Sequence, residues 1–412
     1  MRQTLERPAR FAVRLGARGM VVAGAYVLAA AAMLITVILV RDAVTPAALR
    51  GFLAFVFVAT LAAGLEPGTA KADALDDGGR AGVATILGLS ALKALVAAPI
   101  IALVWRFADP DAGWTVLAWS PGVCVAGFCV TDLRVLHDLR GRYAMAIGLK
   151  QGALAGGIVL AGGLLTAGAG LGLAVGFSTL GRLAIAGAAG LAEHARRGGR
   201  WSWADARRRL VDPRWLDLAA VSVIAAISGS ADRVFGLRLL DPAAYGGYFL
   251  VFEILSKFWL IPYVLAPIVF ARQASGQETG AFLRGAWGFT AVAGAAFLAA
   301  LAGLLALAPN LAGRLLDAAF GPSILLFAAG VVVGSFVQLR IAALQGEGAS
   351  RRAAVVSAFS AAFSVALFYV AARRWGAPGL LSAWLVKSLV ELSVAMLPGS
   401  RHSADGKTRL EG

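Results

Sequence analysis

The chain has 412 residues, of which 59% are hydrophobic and 15% charged, and its formal net charge is +15. A soluble globular domain carries about 25% charged residues. The apolar excess here is gathered into runs near 20 residues, the length of a bilayer-crossing helix, rather than into alternating ten-residue strands, which excludes an ordinary soluble domain and a transmembrane barrel alike.

In chain order, residues 1–19 form a basic segment, Arg2 to Arg18, expected to lie on an anionic inner leaflet. The apolar run that follows is about 21 residues long, beyond the 7–15 of a signal-peptide core, and is read as an uncleaved first helix. Spans are predicted at roughly 20–40, 52–66, 83–107, 114–131, 147–166 and 171–192, then at 215–240, 246–270, 286–308, 319–341, 353–372 and 379–397. The expected fold is therefore an all-α integral membrane protein of about twelve transmembrane helices. Its two six-helix bundles cover 20–192 and 215–397, with a basic linker at 193–214 and a tail at 398–412. Trp201, Trp203 and Trp215 suggest that the linker lies at the membrane interface.

Twelve spans put both termini on one side. The termini and even-numbered connections hold about 26 Lys and Arg, including Arg196, Arg197, Arg200, Arg207, Arg208 and Arg209, against about 8 in the odd-numbered connections. That bias predicts cytoplasmic termini, and it accounts for the net charge without nucleic acid. Cys124 and Cys129 share one apolar segment and read as small packing residues; His137, His194 and His402 lie in polar connections and form no metal cluster. There is no GxxxxGK[ST], HExxH, GxSxG or CxxC set, so no cofactor is expected and ATP hydrolysis within the chain is not.

A weak internal repeat runs through the sequence. Pro46-Ala47-Ala48 with Gly51-Phe52 matches Pro242-Ala243-Ala244 with Gly247-Tyr248 at an offset of 196. Leu133-Arg134-Val135 matches Leu339-Arg340-Ile341 at 206, and Arg182 matches Lys387 at 205. Six helices per half is an even number, so the halves run in parallel about an axis along the membrane normal, an arrangement that binds cargo between the halves near the midplane.

Eight ionisable residues fall inside the apolar runs: Lys93, Arg182, Asp232, Arg233, Glu253, Lys257, Lys387 and Glu391. Each costs about 2.5–3.5 kcal/mol at a helix centre, on the order of 20 kcal/mol together. That exceeds a typical net fold stability, so they must face a cavity or one another. Lys93, Arg182, Lys257 and Lys387 sit near mid-span, which suits an anionic cargo. Glu253–Lys257 and Lys387–Glu391 are also spaced i,i+4, so mutual neutralisation explains either pair equally well. Arg182 could instead bond a carbonyl, and Asp232 and Arg233 are adjacent and point about 100° apart. Glu66-Pro67-Gly68, Pro99, Pro262 and Pro267 are expected helix breakers, which line the path in some transporters and are only kinks in others.

The stretch 228–273 carries Asp232-Arg233, Leu239-Leu240-Asp241-Pro242 and Gly246-Gly247-Tyr248 before a long helix ending near Pro267. It resembles the polysaccharide exporter branch of the multidrug/oligosaccharidyl-lipid/polysaccharide flippase superfamily. Asp132-Leu133-Arg134 through Arg142-Tyr143 resembles that family's connection after helix four, whereas Glu66-Pro67-Gly68 stands where relatives often show Asp-x-Gly. The resemblance implies a flippase in a bacterial inner membrane that translocates a polyprenyl-pyrophosphate-linked oligosaccharide by alternating access. Its product would feed O-antigen, capsule or exopolysaccharide assembly, with membrane lipid around it and glycan transferases and a glycan polymerase as partners. Arg233 and Lys257 are the expected head-group contacts, with Lys93, Arg182 and Lys387 in support. Asp232, Glu253 and Glu391 are expected as charge or coupling partners, and coupling to a proton or sodium gradient stays open. The rivals are a lipid II flippase, a cation-coupled drug antiporter, which would want a more acidic cavity, and a membrane glycan polymerase or ligase, which would want larger outer loops.

Overall fold

The structure is a computed structural model. It describes residues 24–397 apart from 25, 66–68, 71–81, 139–141, 198–200, 212–222, 225, 275–279, 311–315, 317–319 and 348–349. The basic segment 1–19, the tail 398–412, Glu66-Pro67-Gly68, Trp215 and much of the seventh span lie outside the described residues, as does His402.

Among the described residues there is no strand. The first half comprises α1 (Tyr26–Ala43), α2 (Pro46–Gly64), α3 (Val83–Ala108), α4 (Ser120–Asp138), α5 (Tyr143–Thr166) and α6 (Leu171–Arg197). A short α7 (Trp203–Val211) follows in the linker. The second half comprises α8 (Ala231–Leu239), α9 (Pro242–Leu255), α10 (Leu260–Ala274), α11 (Gly280–Leu307), α12 (Ser323–Gly346) and α13 (Ser350–Met396). Among the described residues, ten helices are long and apolar enough to cross a membrane. The last of these is two crossings joined at Gly376, whose φ of 63° and ψ of −146° no L side chain adopts readily. With α8 as the described end of the seventh span, the twelve expected crossings are all represented, and the chain is an all-α multi-pass membrane protein.

Three local expectations need correction. The fourth span begins with a separate turn at Trp114–Leu117 and runs on to Asp138, past the predicted end at 131. His137 is therefore not in a polar connection but buried near the end of α4, and His194 falls inside α6. The eighth span is interrupted by a 3-10 turn, Ser256–Trp259, rather than at its prolines, and Lys257 sits in that turn.

The outward surface carries large apolar side chains, such as Leu28, Val96 and Leu307 at 76%, 72% and 88% exposure. On a soluble protein such a band would be a docking or aggregation surface; here it meets lipid. Buried hydroxyls return their protons to the preceding turn, as Thr36 does to the Ala32 carbonyl and Thr290 to that of Ala286.

In the first half α3 packs on α4, α5 on α6, and α2 against α4, α5 and α6; in the second, α12 packs on α13 and α10, and α8 on α13. The halves meet where α8 touches α2 and α3 and where α9 touches α2. The repeat is visible in how α2 and α9 begin. Thr45 caps α2 by accepting from the Ala48 amide, and Asp241 caps α9 by accepting from those of Ala243 and Ala244. Proline follows each cap at the first helical position, where its missing N–H costs nothing.

Successive crossings reverse direction, so α2, α4, α6, α10 and α12 end on one side, here called the basic face for the Lys and Arg that follow them in sequence, and α1, α3, α5 and α8 end on the opposite face. On the opposite face the halves touch through Phe107 of α3. Its ring lies 6.4 Å from Phe235, edge-on, and the Arg238 guanidinium sits 6.0 Å above it.

Candidate functional site

Between the halves, on the side nearer the basic face, lies a cavity of about 160 Å³. The first half lines it from the start of α1, the end of α2, α4 and the first turns of α5, and the second half from α8, α9, the 3-10 turn and α10. Among the described residues its charged lining is Arg134, Lys150, Arg233 and Lys257 with a single carboxylate, Glu253. Drug-sized ligands occupy pockets of about 300–1,000 Å³, so this cavity accepts a compact head group and must widen for anything larger.

Arg233 is more buried than Lys257, its side chain 11% exposed against 30%. Its Nη2 donates to the Gly229 carbonyl at 2.8 Å and to Ser230 Oγ at 3.2 Å. The guanidinium lies 5.5 Å from the centre of the Phe57 ring on α2 and 5.0 Å from that of Phe252 on α9. One cation thus lies against a ring from each half, a contact worth more when desolvated than at an exposed site. The neighbouring Asp232 keeps its Oδ1 4.0 Å from Arg233 Nε, at the edge of an ion pair. It is fully buried and accepts from the Tyr248 hydroxyl and from Trp384 Nε1, the latter at 3.1 Å. Asp232 therefore anchors α8 to α9 and α13 and does not reach the cavity lining.

Lys257 Nζ donates to Glu253 Oε2 at 2.6 Å and lies 5.9 Å from the Tyr26 ring centre. The lysine is 30% exposed and the glutamate 9%, so the pair borders the cavity with its cation outermost. The 3-10 turn interrupts the eighth crossing here, and 3-10 stretches within a helix often mark hinges. At the flank, Tyr26 and Tyr263 bring α1 and α10 together, rings 6.4 Å apart.

The other nominated residues sit elsewhere. Lys93 Nζ donates to Thr69 Oγ1 at 2.8 Å, within the first half. Arg182 is buried between α6, α5 and α2, and its Nη2 donates to the Ala59 carbonyl at 3.5 Å. Lys387 Nζ lies 2.7 Å from Glu391 Oε1, and that oxygen also accepts from Ser228 Oγ at 2.9 Å and from Ser360. The Lys387–Glu391 pair is thus a closed polar knot inside the second half. None of Lys93, Arg182, Lys387, Asp232 and Glu391 lines the cavity.

Two lining cations, Arg134 and Lys150, were not nominated from sequence. Lys150 and Gln151 belong to a helical stripe with Ile147 and Leu154, all lining the cavity. That stripe is one legible signal. For Arg134 the signal was its place in the repeat, opposite Arg340.

No protein-family model matches the chain, and no curated protein matches it in sequence. Solved structures match in fold. A mutant of the Vibrio cholerae MATE transporter VcmN superposes with a TM-score of 0.63 at 13% identity, covering 94% of this chain and 95% of that one. The lipid II flippase MurJ in an inward closed conformation gives 0.67 at 11% identity, covering 91% and 86%. A MOP superfamily transporter from Pyrococcus furiosus, described as having a binding pocket of reverse polarity, gives 0.57 at 17% identity, covering 93% and 92%. In fold the chain is thus similar to a MATE transporter and to the lipid II flippase MurJ.

Proposed function

We propose that this protein is a flippase that carries a polyprenyl-pyrophosphate-linked oligosaccharide across a bacterial inner membrane by alternating access, supplying O-antigen, capsule or exopolysaccharide assembly. The observation that carries the reading is the charge of the inter-half cavity, four cations against one carboxylate that Lys257 already neutralises. A pyrophosphate stripped of water needs charge-assisted donors. Arg233 offers a planar fork for two phosphate oxygens and Lys257 a movable point charge. Arg134 and Lys150 extend the cationic wall toward the basic face, which the reading makes cytoplasmic, with both termini on that side. The prenyl tail stays in lipid while the head crosses. A transferase series must build the cargo on the cytoplasmic leaflet and a polymerase must consume it outside.

A lipid II flippase is the second reading, favoured by the fold likeness to MurJ; it needs the same head-group chemistry. A drug antiporter would place a cationic ligand among four cations. Coupling to a proton or sodium gradient is part of the proposal, tested by dissipating each gradient in turn.

The test is lipid-linked glycan trapped on the inner leaflet, with expression held equal. Lys257→Ala impairs transport and Lys257→Arg retains part of it. If Lys257 served only to neutralise Glu253, the double change Glu253→Gln with Lys257→Gln would restore transport in full, and that result would defeat the contact role.

A further inference from the structure

We propose that the buried guanidinium of Arg182 holds a small monovalent anion of the chloride class inside the first bundle, in the role that Glu391 plays for Lys387 in the second. Arg182 is 3% exposed, and its one hydrogen bond among the described residues is the long contact to the Ala59 carbonyl. Its Nε and Nη1 are buried with no hydrogen-bond partner among the described residues. One turn earlier on α6, the fully buried Ser178 Oγ is also unpartnered. Both side chains abut the same point on α5, since a Cβ on Gly157 would meet Arg182 Cγ and Cδ and Ser178 Oγ. Two guanidinium nitrogens and one hydroxyl, on side chains that share a point on α5, are thus left without a hydrogen-bond partner among the described residues. A charge left so is not tolerated in a bilayer interior, where buried charges pair or find a cavity.

The internal repeat shows what is missing. The offset of 205 sets Arg182 against Lys387, and both are buried cations on the sixth crossing of their half. Lys387 finds its carboxylate four residues on, at Glu391. Four residues beyond Arg182 stands Ala186, also buried. One half carries its counter-charge in the chain and the other does not, so the anion for Arg182 comes from solution. The fixed positive charge of the guanidinium refuses a cation. Complete burial, away from the inter-half cavity, refuses a pyrophosphate or an organic acid, and a weakly hydrated monovalent ion gives up its water at least cost. This site does not depend on the cargo assigned above, because Arg182 is not part of the cavity lining.

The test is the thermal unfolding midpoint of the full chain in detergent, with sodium chloride titrated against sodium gluconate at constant ionic strength. The midpoint of the unaltered protein rises with chloride, on the order of 2 °C per tenfold increase above the dissociation constant. Bromide does the same. Arg182→Gln and Arg182→Met abolish the response. Ala186→Glu, which supplies the carboxylate that the second half already has, also abolishes it. Should Ala186→Glu not fold, the two Arg182 variants decide alone. Lys257→Gln keeps the response, because the cavity is a separate place. A flat midpoint in the unaltered protein, an unchanged response in both Arg182 variants, or its loss in Lys257→Gln would overturn the assignment.

Discussion

The Lys387–Glu391 knot allows a stability prediction with a worked magnitude. The two charges are 2.7 Å apart, with side chains 7% and 9% exposed. At an effective dielectric of 20 their attraction is about 6 kcal/mol before desolvation is charged against it. Removing one member of a buried pair costs about 3–5 kcal/mol, because the other is left uncompensated. Lys387→Met should fall near 3 kcal/mol, since Glu391 keeps its bonds from Ser228 and Ser360. Glu391→Gln strands the ammonium beside the Trp384 ring, 4.7 Å from its centre, and should cost as much or more. The double variant removes both charges while a carbonyl oxygen remains for the two serines. It should return to within about 1 kcal/mol of the parent, a coupling of about 5 kcal/mol against single losses of about 3 kcal/mol each. Reversible unfolding in mixed detergent micelles measures all four corners of this cycle. A double variant as unstable as the two single losses added together, with coupling below about 0.5 kcal/mol, would show that the charges do not hold each other.

Further outcomes are expected. Gly127→Ala should destabilise by about 1–3 kcal/mol, because its Cβ would run into the α2 backbone at Ala62 and Ala63, which no rotamer change relieves, whereas Gly163→Ala, with open space at its Cβ, should stay within about 0.5 kcal/mol in the same unfolding assay. In a background with Cys124 and Cys129 replaced by alanine, a short bifunctional thiol reagent joining Phe107→Cys to Phe235→Cys should stop transport, and cleaving the link should restore it; transport through the linked protein would mean that the opposite face need not open. Cysteines at Ser202 and Ser403 should resist an impermeant thiol reagent in intact cells with a permeabilised outer membrane, and ready labelling of both would reverse the proposed sidedness.

Most of the fold was legible because lipid forces it: backbone groups without water must pair within a helix, so run length alone locates the crossings. The starts of α2 and α9 were missed by several residues, at 52 and 246 against Pro46 and Pro242, because run length does not register a polar capping residue followed by proline. The 3-10 turn at Ser256–Trp259 was not legible either, since nothing in Ser256-Lys257-Phe258-Trp259 breaks a helix by itself; the turn goes with tertiary packing, Trp259 donating to the Val331 carbonyl of α12. The site was legible in part. The cost of ionisable groups in lipid singled out Arg233, Lys257 and Glu253, which do meet at the cavity. The same cost gave no way to tell a cavity from a closed knot, so Lys387 and Asp232 looked alike from sequence, yet their partners Glu391, Tyr248 and Trp384 hold them inside the second bundle. Arg134 and Lys150 were passed over because they stand near helix ends, where a cation is cheap and draws no notice.

The claim that the inter-half cavity serves an anionic lipid-linked head is tested most directly in proteoliposomes. The purified protein is offered a short-chain polyprenyl-pyrophosphate-linked oligosaccharide in one preparation and a lipophilic organic cation in another, and leaflet-to-leaflet or transmembrane movement is followed for each. The expected result is movement of the pyrophosphate-linked glycan, lost in Arg233→Gln, with no transport of the cation. Transport of the cation, with the pyrophosphate-linked glycan left where it was, would contradict it.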